Sequence, residues 1–224
     1  MGKLIVIEGI DGSGKSTQFE LLCNRFASEG KEFRRITFPR YNEESSVFVR
    51  MYLNGQFGEG PDSVNAYAAS TFFAVDRFAS FLQDWRAYYE NGGVILTDRY
   101  TTSNAIHQGA KLPCEQREFF FKWLYDYEFC LLGLPEPDLV FFMDIDPVQA
   151  LQRLRRRQAE TETFGDIHEN DPAYLEKCAL CGDQAAALHG WRRIKCVEEE
   201  CERSEAAINL EIYNQIMCER LWDL

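Results

Sequence analysis

Eight residues near the N-terminus have the types and spacing to hold a chain of phosphates: Gly9-Ile10-Asp11-Gly12-Ser13-Gly14-Lys15-Ser16, followed by Thr17. They fit G-x-x-x-x-G-K-[ST], the phosphate-binding loop of nucleotide hydrolases and kinases. The glycines allow backbone N–H groups to turn inward around an anion, and the start of a helix adds its partial positive charge. In such a loop Lys15 reaches the β- and γ-phosphates and the Ser16 hydroxyl ligates Mg²⁺. The chemistry also needs a carboxylate on the metal side. Asp98, at the end of the apolar run Val94-Ile95-Leu96-Thr97, is the candidate. A run of arginines, Arg153, Arg155, Arg156 and Arg157, offers guanidinium groups that can stabilise charge on a transferred phosphoryl group.

These groups need a scaffold that brings them together, and the hydrophobic pattern supplies one. Lys3-Leu4-Ile5-Val6-Ile7 reads as a buried strand ahead of the loop. A helix is expected from Ser16 to Glu29, ending at Gly30, and a second strand over Glu32–Phe38, stopped by Pro39. A short helix over Ser45–Leu53 and a loop to Pro61 precede a long helix, Asp62 or Ser63 to Glu90. Its small residues Ala66, Ala68, Ala69 and Ser70 permit close packing. After the strand ending at Asp98 come helices over Ser103–Gln108 and Cys114–Leu132, a Pro-rich turn, and a strand over Asp138–Ile145. A helix opens at Pro147, a polar stretch runs from Gln158 to Asn170, and a helix follows over Asp171–His189. A strand over Trp191–Cys196 and a helix over Ser204–Leu221 close the chain. This alternation predicts one α/β domain over residues 1–224, with a five-stranded parallel sheet between layers of helices, the three-layer P-loop NTPase fold. Parallel sheets bind ligands at the carboxyl ends of their strands, where Asp11, Arg40, Asp98 and Arg99 lie.

The balance of charge narrows the partners. The 224-residue chain carries a formal net charge of −12, which argues against nucleic acid. No apolar run approaches the ~20 residues that span a membrane, and a cytoplasmic protein is expected. Of the eight cysteines, Cys178 and Cys181 form C-x-x-C, with Cys196 and Cys201 following. Zinc is one reading, but the first pair lies in a helical pattern and the second has four intervening residues, so reduced thiols are the expectation. A guanine-reading Asn-Lys-x-Asp segment is absent, which weighs against a regulatory GTPase.

With these motifs in place, the chain resembles the thymidylate kinase family along nearly its whole length. The matching stretches are Ile7–Gln18, Phe38-Pro39-Arg40-Tyr41, Phe73-Ala74-Val75-Asp76-Arg77, Asp98-Arg99-Tyr100-Thr101-Thr102-Ser103-Asn104 and Leu134–Val140. The resemblance implies transfer of the ATP γ-phosphoryl group to dTMP with Mg²⁺ as cofactor, and a homodimer. Residue by residue, it implies that Asp11 faces the monophosphate and its sugar hydroxyl, that Phe73 stacks on thymine, and that Arg77 contacts the base. It implies that Arg99 grips the acceptor phosphate with help from Arg40, that Asp98 acts on the magnesium side, and that Ser103, Asn104, His107 and Gln108 lie near the base and sugar. Family members with glycine after the loop aspartate, as Gly12 here, place a catalytic arginine in a mobile lid, here about 153–170. One of Arg155, Arg156 and Arg157 is then the catalytic arginine, and Arg153 lies against adenine. His107 stands where many relatives carry tyrosine, and the lid is longer and more acidic than the commonest version. Glu169 and Tyr174 correspond to lid and post-lid positions.

Overall fold

A computed structural model describes residues 1–161, 167–168, 171–198 and 201–222. Its centre is β1 (Lys3–Glu8), where Leu4, Ile5, Val6 and Ile7 are completely buried. Burial of each such side chain contributes about 1.5–3 kcal/mol before entropy is counted. On one side β1 pairs with β3 (Val94–Asp98), which pairs with β2 (Arg34–Thr37). On the other it pairs with β4 (Leu139–Asp144), which pairs with β5 (Arg192–Lys195). All four pairings are parallel, giving the order β2-β3-β1-β4-β5. The five-stranded parallel sheet flanked by helices is the fold expected. The register sets Ile7 beside Asp98 and Thr37 beside Asp98, so the carboxyl ends of β1, β2 and β3 form one row.

The chain leaves β1 through the loop and enters α1 (Lys15–Ser28) at Gly14, whose φ of 89° only glycine adopts freely. Next come α2 (Val47–Leu53) and α3 (Ala66–Ser80), the latter capped by Asn65, whose Oδ1 accepts from Ala68 N at 2.9 Å. The single helix expected to Glu90 is divided. A 3₁₀ turn spans Pro61–Ser63, and a π-helical turn over Phe81–Trp85 joins α3 to α4 (Arg86–Glu90). Trp85 is buried there and donates to Ser80 Oγ at 3.2 Å. Ala66, Ala69 and Ser70 face this chain's own interior.

After β3, α5 (Thr101–His107) begins two residues earlier than expected, at the site itself. Helix α6 (Cys114–Tyr125) continues into a π-helical turn over Asp126–Leu131, which carries the fully buried Glu128. Beyond β4 lie α7 (Pro147–Thr161) and α8 (Pro172–His189). Asp171 caps α8, accepting from Tyr174 N at 3.0 Å, and Gly190 ends it with a φ of 66°. A small antiparallel pair not anticipated from sequence, β6 (Val197–Glu198) and β7 (Cys201–Glu202), precedes α9 (Glu205–Cys218). The anticipated Glu169 and most of the polar stretch, residues 162–166 and 169–170, lie outside the described residues.

The cysteines are all free thiols. Cys178 and Cys181 are buried on α8, where Cys181 Sγ contacts the Ala105 carbonyl at 3.3 Å, whereas Cys196 sits behind the phosphate loop against Ser13 O at 3.7 Å. No group of three or more metal-ligating side chains occurs among the described residues, and no described helix is long and apolar enough to cross a membrane.

Candidate active site

The loop between β1 and α1 stands at the row of strand ends. Gly12 and Gly14 both have positive φ, 81° and 89°, which curls the backbone N–H groups to one side. Lys15 lies along the loop, donating to Asp11 Oδ1 at 3.1 Å and to the Ile10 carbonyl at 3.4 Å. Ser16 opens α1 and donates its hydroxyl to Asp98 Oδ2 at 2.7 Å. The other oxygen of Asp98, Oδ1, is buried with no hydrogen-bond partner among the described residues, as is Ser13 Oγ. A buried carboxylate oxygen without a donor is costly, and a divalent cation resolves it. Ser16 and Asp98 therefore fit the hard oxygen donor set of Mg²⁺.

Arg99 follows β3 with a φ of 68°, rare for a residue with a side chain. Its backbone is held on both sides: Arg99 N donates to Ile7 O at 3.2 Å, and Thr97 Oγ1 donates to Arg99 O at 2.8 Å. The turn aims the guanidinium back across the strand ends. There it pairs with Asp11 and donates to His107 Nε2 at 3.0 Å and Ser103 Oγ at 3.3 Å. Burial favours the neutral acid of Asp11, but Arg99 and then Lys15 outweigh it and hold the carboxyl well below its ordinary value. Burial opposes the charge on Arg99 likewise, and Asp11, Glu8 and Asp98 more than offset it. Asp11 and Arg99 are thus both charged at neutral pH. Glu8, fully buried under them, accepts from Gly9 N (2.9 Å), Thr102 Oγ1 (2.6 Å) and Ser103 Oγ (2.8 Å), which ties the loop to the start of α5.

Two cavities meet at this cluster. One, of about 270 Å³, is lined on its charged side by Asp11, Lys15, Asp98 and Arg99 and on its far side by Phe73, Asn104 and Gln108. The other, of about 300 Å³, runs over Gly12–Gln18 and is walled by Arg153, Arg156 and Glu202. Lys15, Ser16 and Arg157 line both. Arg153 donates to Ser13 O at 3.4 Å and to Glu202 at 3.3 Å, placing it beside the loop. Arg155 lines neither cavity. Gly9 and Ile10 carry the chain into the loop, and Ile10 lines a third hollow beneath it.

Within the first cavity Phe73 meets Tyr52 edge-on at 6.3 Å. Arg77 lines the same cavity but is itself buried, its Nε and Nη2 bound to the two oxygens of Glu128 at 2.7 and 2.5 Å. Asn104 Nδ2 donates to Ser70 O at 3.1 Å, and the Gln108 Oε1 acceptor is buried without a partner among the described residues. Ser103 and His107 also line the wall. Of the residues expected around the acceptor, Arg40 is the one the structure places elsewhere. Asp76 accepts from its N and Nε at 2.8 and 3.3 Å, Asp84 accepts from Nη1 at 2.5 Å, and it lines a separate hollow beside β2. The carboxylates pull its guanidinium away from the cavity.

Glu128, Glu8 and His168 are site residues that the sequence alone does not single out. Glu8 and the Asp76 that holds Arg40 stand inside the stretches that match the family. Nothing local marked Glu128 or His168.

Both rings on the cavity wall are kept neutral. Burial holds His107 well below its ordinary value, against the pull of Asp11, and takes His168 down to about 3. A histidine with a lowered folded value stabilises the fold above its unfolded value of roughly 6.5 and loses that contribution as the pH falls toward the folded value. From pH 7 to pH 5 the loss for His168 alone is about 2 kcal/mol. Urea denaturation should show stability falling over this range, with a decline about 2 kcal/mol smaller in His168→Gln. An equal decline would show that His168 is protonated in the folded chain.

A sequence model of the family described as thymidylate kinase matches residues 7–200. The chain is 32% identical over 190 residues to the thymidylate kinase of Mycobacterium tuberculosis, covering 84% of this chain and 87% of that protein. It is 29% identical over 215 residues to the thymidylate kinase of Bifidobacterium longum, covering 94% and 97%. A solved structure of the thymidylate kinase from Candida albicans shares the fold, with a TM-score of 0.72 at 21% identity over 98% of this chain and 93% of that one.

Proposed function

The chain belongs to the thymidylate kinase family, and on that premise we propose how its residues divide the reaction. It is a dTMP kinase, transferring the γ-phosphoryl group of ATP to dTMP to give dTDP. The observation that carries the division of labour is the junction of the two cavities at Lys15, Ser16 and Arg157. Donor phosphates lie over Gly12–Thr17 in one cavity, and the acceptor phosphate lies against Arg99 in the other. The transferred group passes between them at the shared residues.

The acceptor phosphate oxygen is already a nucleophile at neutral pH, so transfer is direct and needs neither a covalent intermediate nor a general base. Positioning and charge neutralisation do the catalysis. Lys15 neutralises the donor phosphates. Arg99, fixed by Asp11, Ser103 and His107, is oriented before the acceptor arrives. Asp11, ionised, accepts from the sugar hydroxyl. Arg157 reaches the transferring phosphoryl group from the boundary of both cavities, and Arg153 lies against adenine. Ser16 and Asp98 would hold Mg²⁺, which supplies positive charge to the donor phosphates when bound. For the base, Phe73 offers a ring face. The unpartnered Gln108 Oε1 suits an N3–H donor, which thymine and uracil carry and cytosine lacks. The free thiols fit a reducing cytoplasm. Two copies pair along α3 and the π-helical turn after it, where Val75 and Leu82 are exposed.

The test is ADP release from Mg-ATP with dTMP, dUMP, UMP or no acceptor. Turnover with dTMP, weaker turnover with dUMP and little ADP without an acceptor are expected, from a species twice the 26.0 kDa mass of one chain. Comparable turnover of UMP would overturn the acceptor assignment, and acceptor-independent ADP release would overturn direct transfer.

A further inference from the structure

One wall of the acceptor cavity is built from two histidine rings that reach it from distant parts of the chain. His107 ends α5, and His168 lies in the short described turn between α7 and α8. The rings stack with centroids 5.8 Å apart and planes 8° from parallel, and both line the cavity. Their hydrogen bonds fix which nitrogen of each carries a proton. Arg99 Nη1 can only donate, so the His107 Nε2 it meets at 3.0 Å accepts. The proton of His107 is then on Nδ1, which faces Cys178 Sγ at 3.6 Å. On the other ring, the Tyr52 hydroxyl lies 3.2 Å from the Pro61 carbonyl and 2.8 Å from His168 Nε2. A carbonyl cannot donate, so the hydroxyl gives its one proton to Pro61 and accepts from His168 Nε2–H.

The result is a continuous chain of contacts: His168 donates to Tyr52, Tyr52 donates to Pro61, the His168 ring stacks on His107, and His107 accepts from Arg99. Tyr52 belongs to a small apolar cluster with Val49, Leu53 and Ala69, against which Ile167 packs. Ile167 N also donates to Leu53 O at 3.3 Å, which sets the neighbouring His168 in place.

We propose that His168 is a positioning residue for acceptor binding: hydrogen-bonded to Tyr52 and stacked on His107, it braces the acceptor that orients Arg99. This rests on reading the Arg99 cavity as the dTMP site. Arg99 carries the charge that meets the acceptor phosphate, and His107 is one of three groups that hold its fork. Loss of the brace lets the His107 ring turn, and Arg99 loses a fixed partner. The donor phosphates bind on the other side of Lys15, so the effect falls on the acceptor.

His168→Phe fills the same space and keeps a ring for stacking but removes the bond to Tyr52. His168→Gln retains an N–H donor for it. In steady-state kinetics with Mg-ATP and dTMP, His168→Phe should raise KM for dTMP roughly tenfold, the size of one lost buried hydrogen bond. Its kcat and its KM for ATP should stay within about twofold, and His168→Gln should recover most of the loss. A purely structural anchor moves neither KM selectively. An unchanged KM for dTMP in His168→Phe, an equal rise in both KM values, or a glutamine variant no better than phenylalanine would overturn the proposal. Failure of the wild-type chain to phosphorylate dTMP would instead overturn the reading of the cavity.

Discussion

Arg157→Ala should lower kcat by about 10³–10⁵-fold, the range set by other phosphoryl-transfer arginines, whereas Arg155→Ala should leave kcat within about twofold. The three candidates occupy successive positions of α7, so about 100° of helix rotation separates each from the next. That rotation decides their surroundings. Arg157 lines both cavities, Arg156 only the donor side, and Arg155 neither. On the proposed division of the two cavities, charge that develops on the equatorial phosphoryl oxygens during transfer lies at their boundary. A guanidinium there binds the transition state more strongly than either ground state, which raises kcat. Arg156→Ala should mainly raise KM for ATP, since a contact confined to the donor side binds ground and transition states alike. Steady-state kinetics of the three alanine variants is the measurement. A loss in Arg155→Ala equal to that in Arg157→Ala would refute the assignment.

The second large effect is on stability. Glu128→Ala should cost about 3–5 kcal/mol, because it leaves the guanidinium of Arg77 buried and unpaired. Arg77 and Glu128 are 1% and 0% exposed, so solvent cannot take up the orphaned charge. The loss extends further, since Thr101 Oγ1 donates to Glu128 at 2.7 Å and Asn104 Nδ2 at 3.4 Å. At about 2–4 °C per kcal/mol for a chain of this size, thermal unfolding should shift down by roughly 6–20 °C. Removing both charges separates stability from recognition. Arg77→Met with Glu128→Leu should recover most of the lost Tm, as apolar replacements of buried pairs commonly do, yet keep a raised KM for dTMP. Full recovery of dTMP affinity in the double variant would show that the pair serves the fold alone.

What could be read from the sequence follows the range of the interactions. The phosphate loop is a local device: eight consecutive residues fix its turn, and the strand and helix beside it are their immediate neighbours. Asp98 was legible for a similar reason, as a charge closing an apolar run whose register the sheet then sets beside Ile7. The parallel sheet followed from the alternation of strand and helix. The residues of the acceptor cavity became legible through the family resemblance, since an aromatic such as Phe73 looks like core on its own. What escaped depends on distance in sequence. Arg77 finds Glu128 fifty-one residues away, across a π-helical turn that breaks the 3.6-residue period used to sort faces. The resemblance gave Arg40 a helping role at the acceptor phosphate, but Asp76 and Asp84 from α3 and the turn after it claim its guanidinium. The surroundings that distinguish the α7 arginines depend on the helix's rotation. The strands β6 and β7 have two residues each, too few to show a period of two.

Gly12 carries a consequence for how such a site can be rebuilt. A Cβ at this position would lie 2.2 Å from the carbonyl oxygen of Ala150 and 2.8 Å from its carbonyl carbon. The obstruction is the backbone of α7, which cannot step aside as the tip of a flexible side chain would, and Ala150 is itself fully buried. The loop and the helix that bears Arg157 therefore touch main chain to main chain. An arginine grafted into the loop at this point would displace the helix, and with it the arginine already there. In this chain the two placements exclude each other, so transplanting the arginine is not a point substitution but a redesign of the contact between loop and helix.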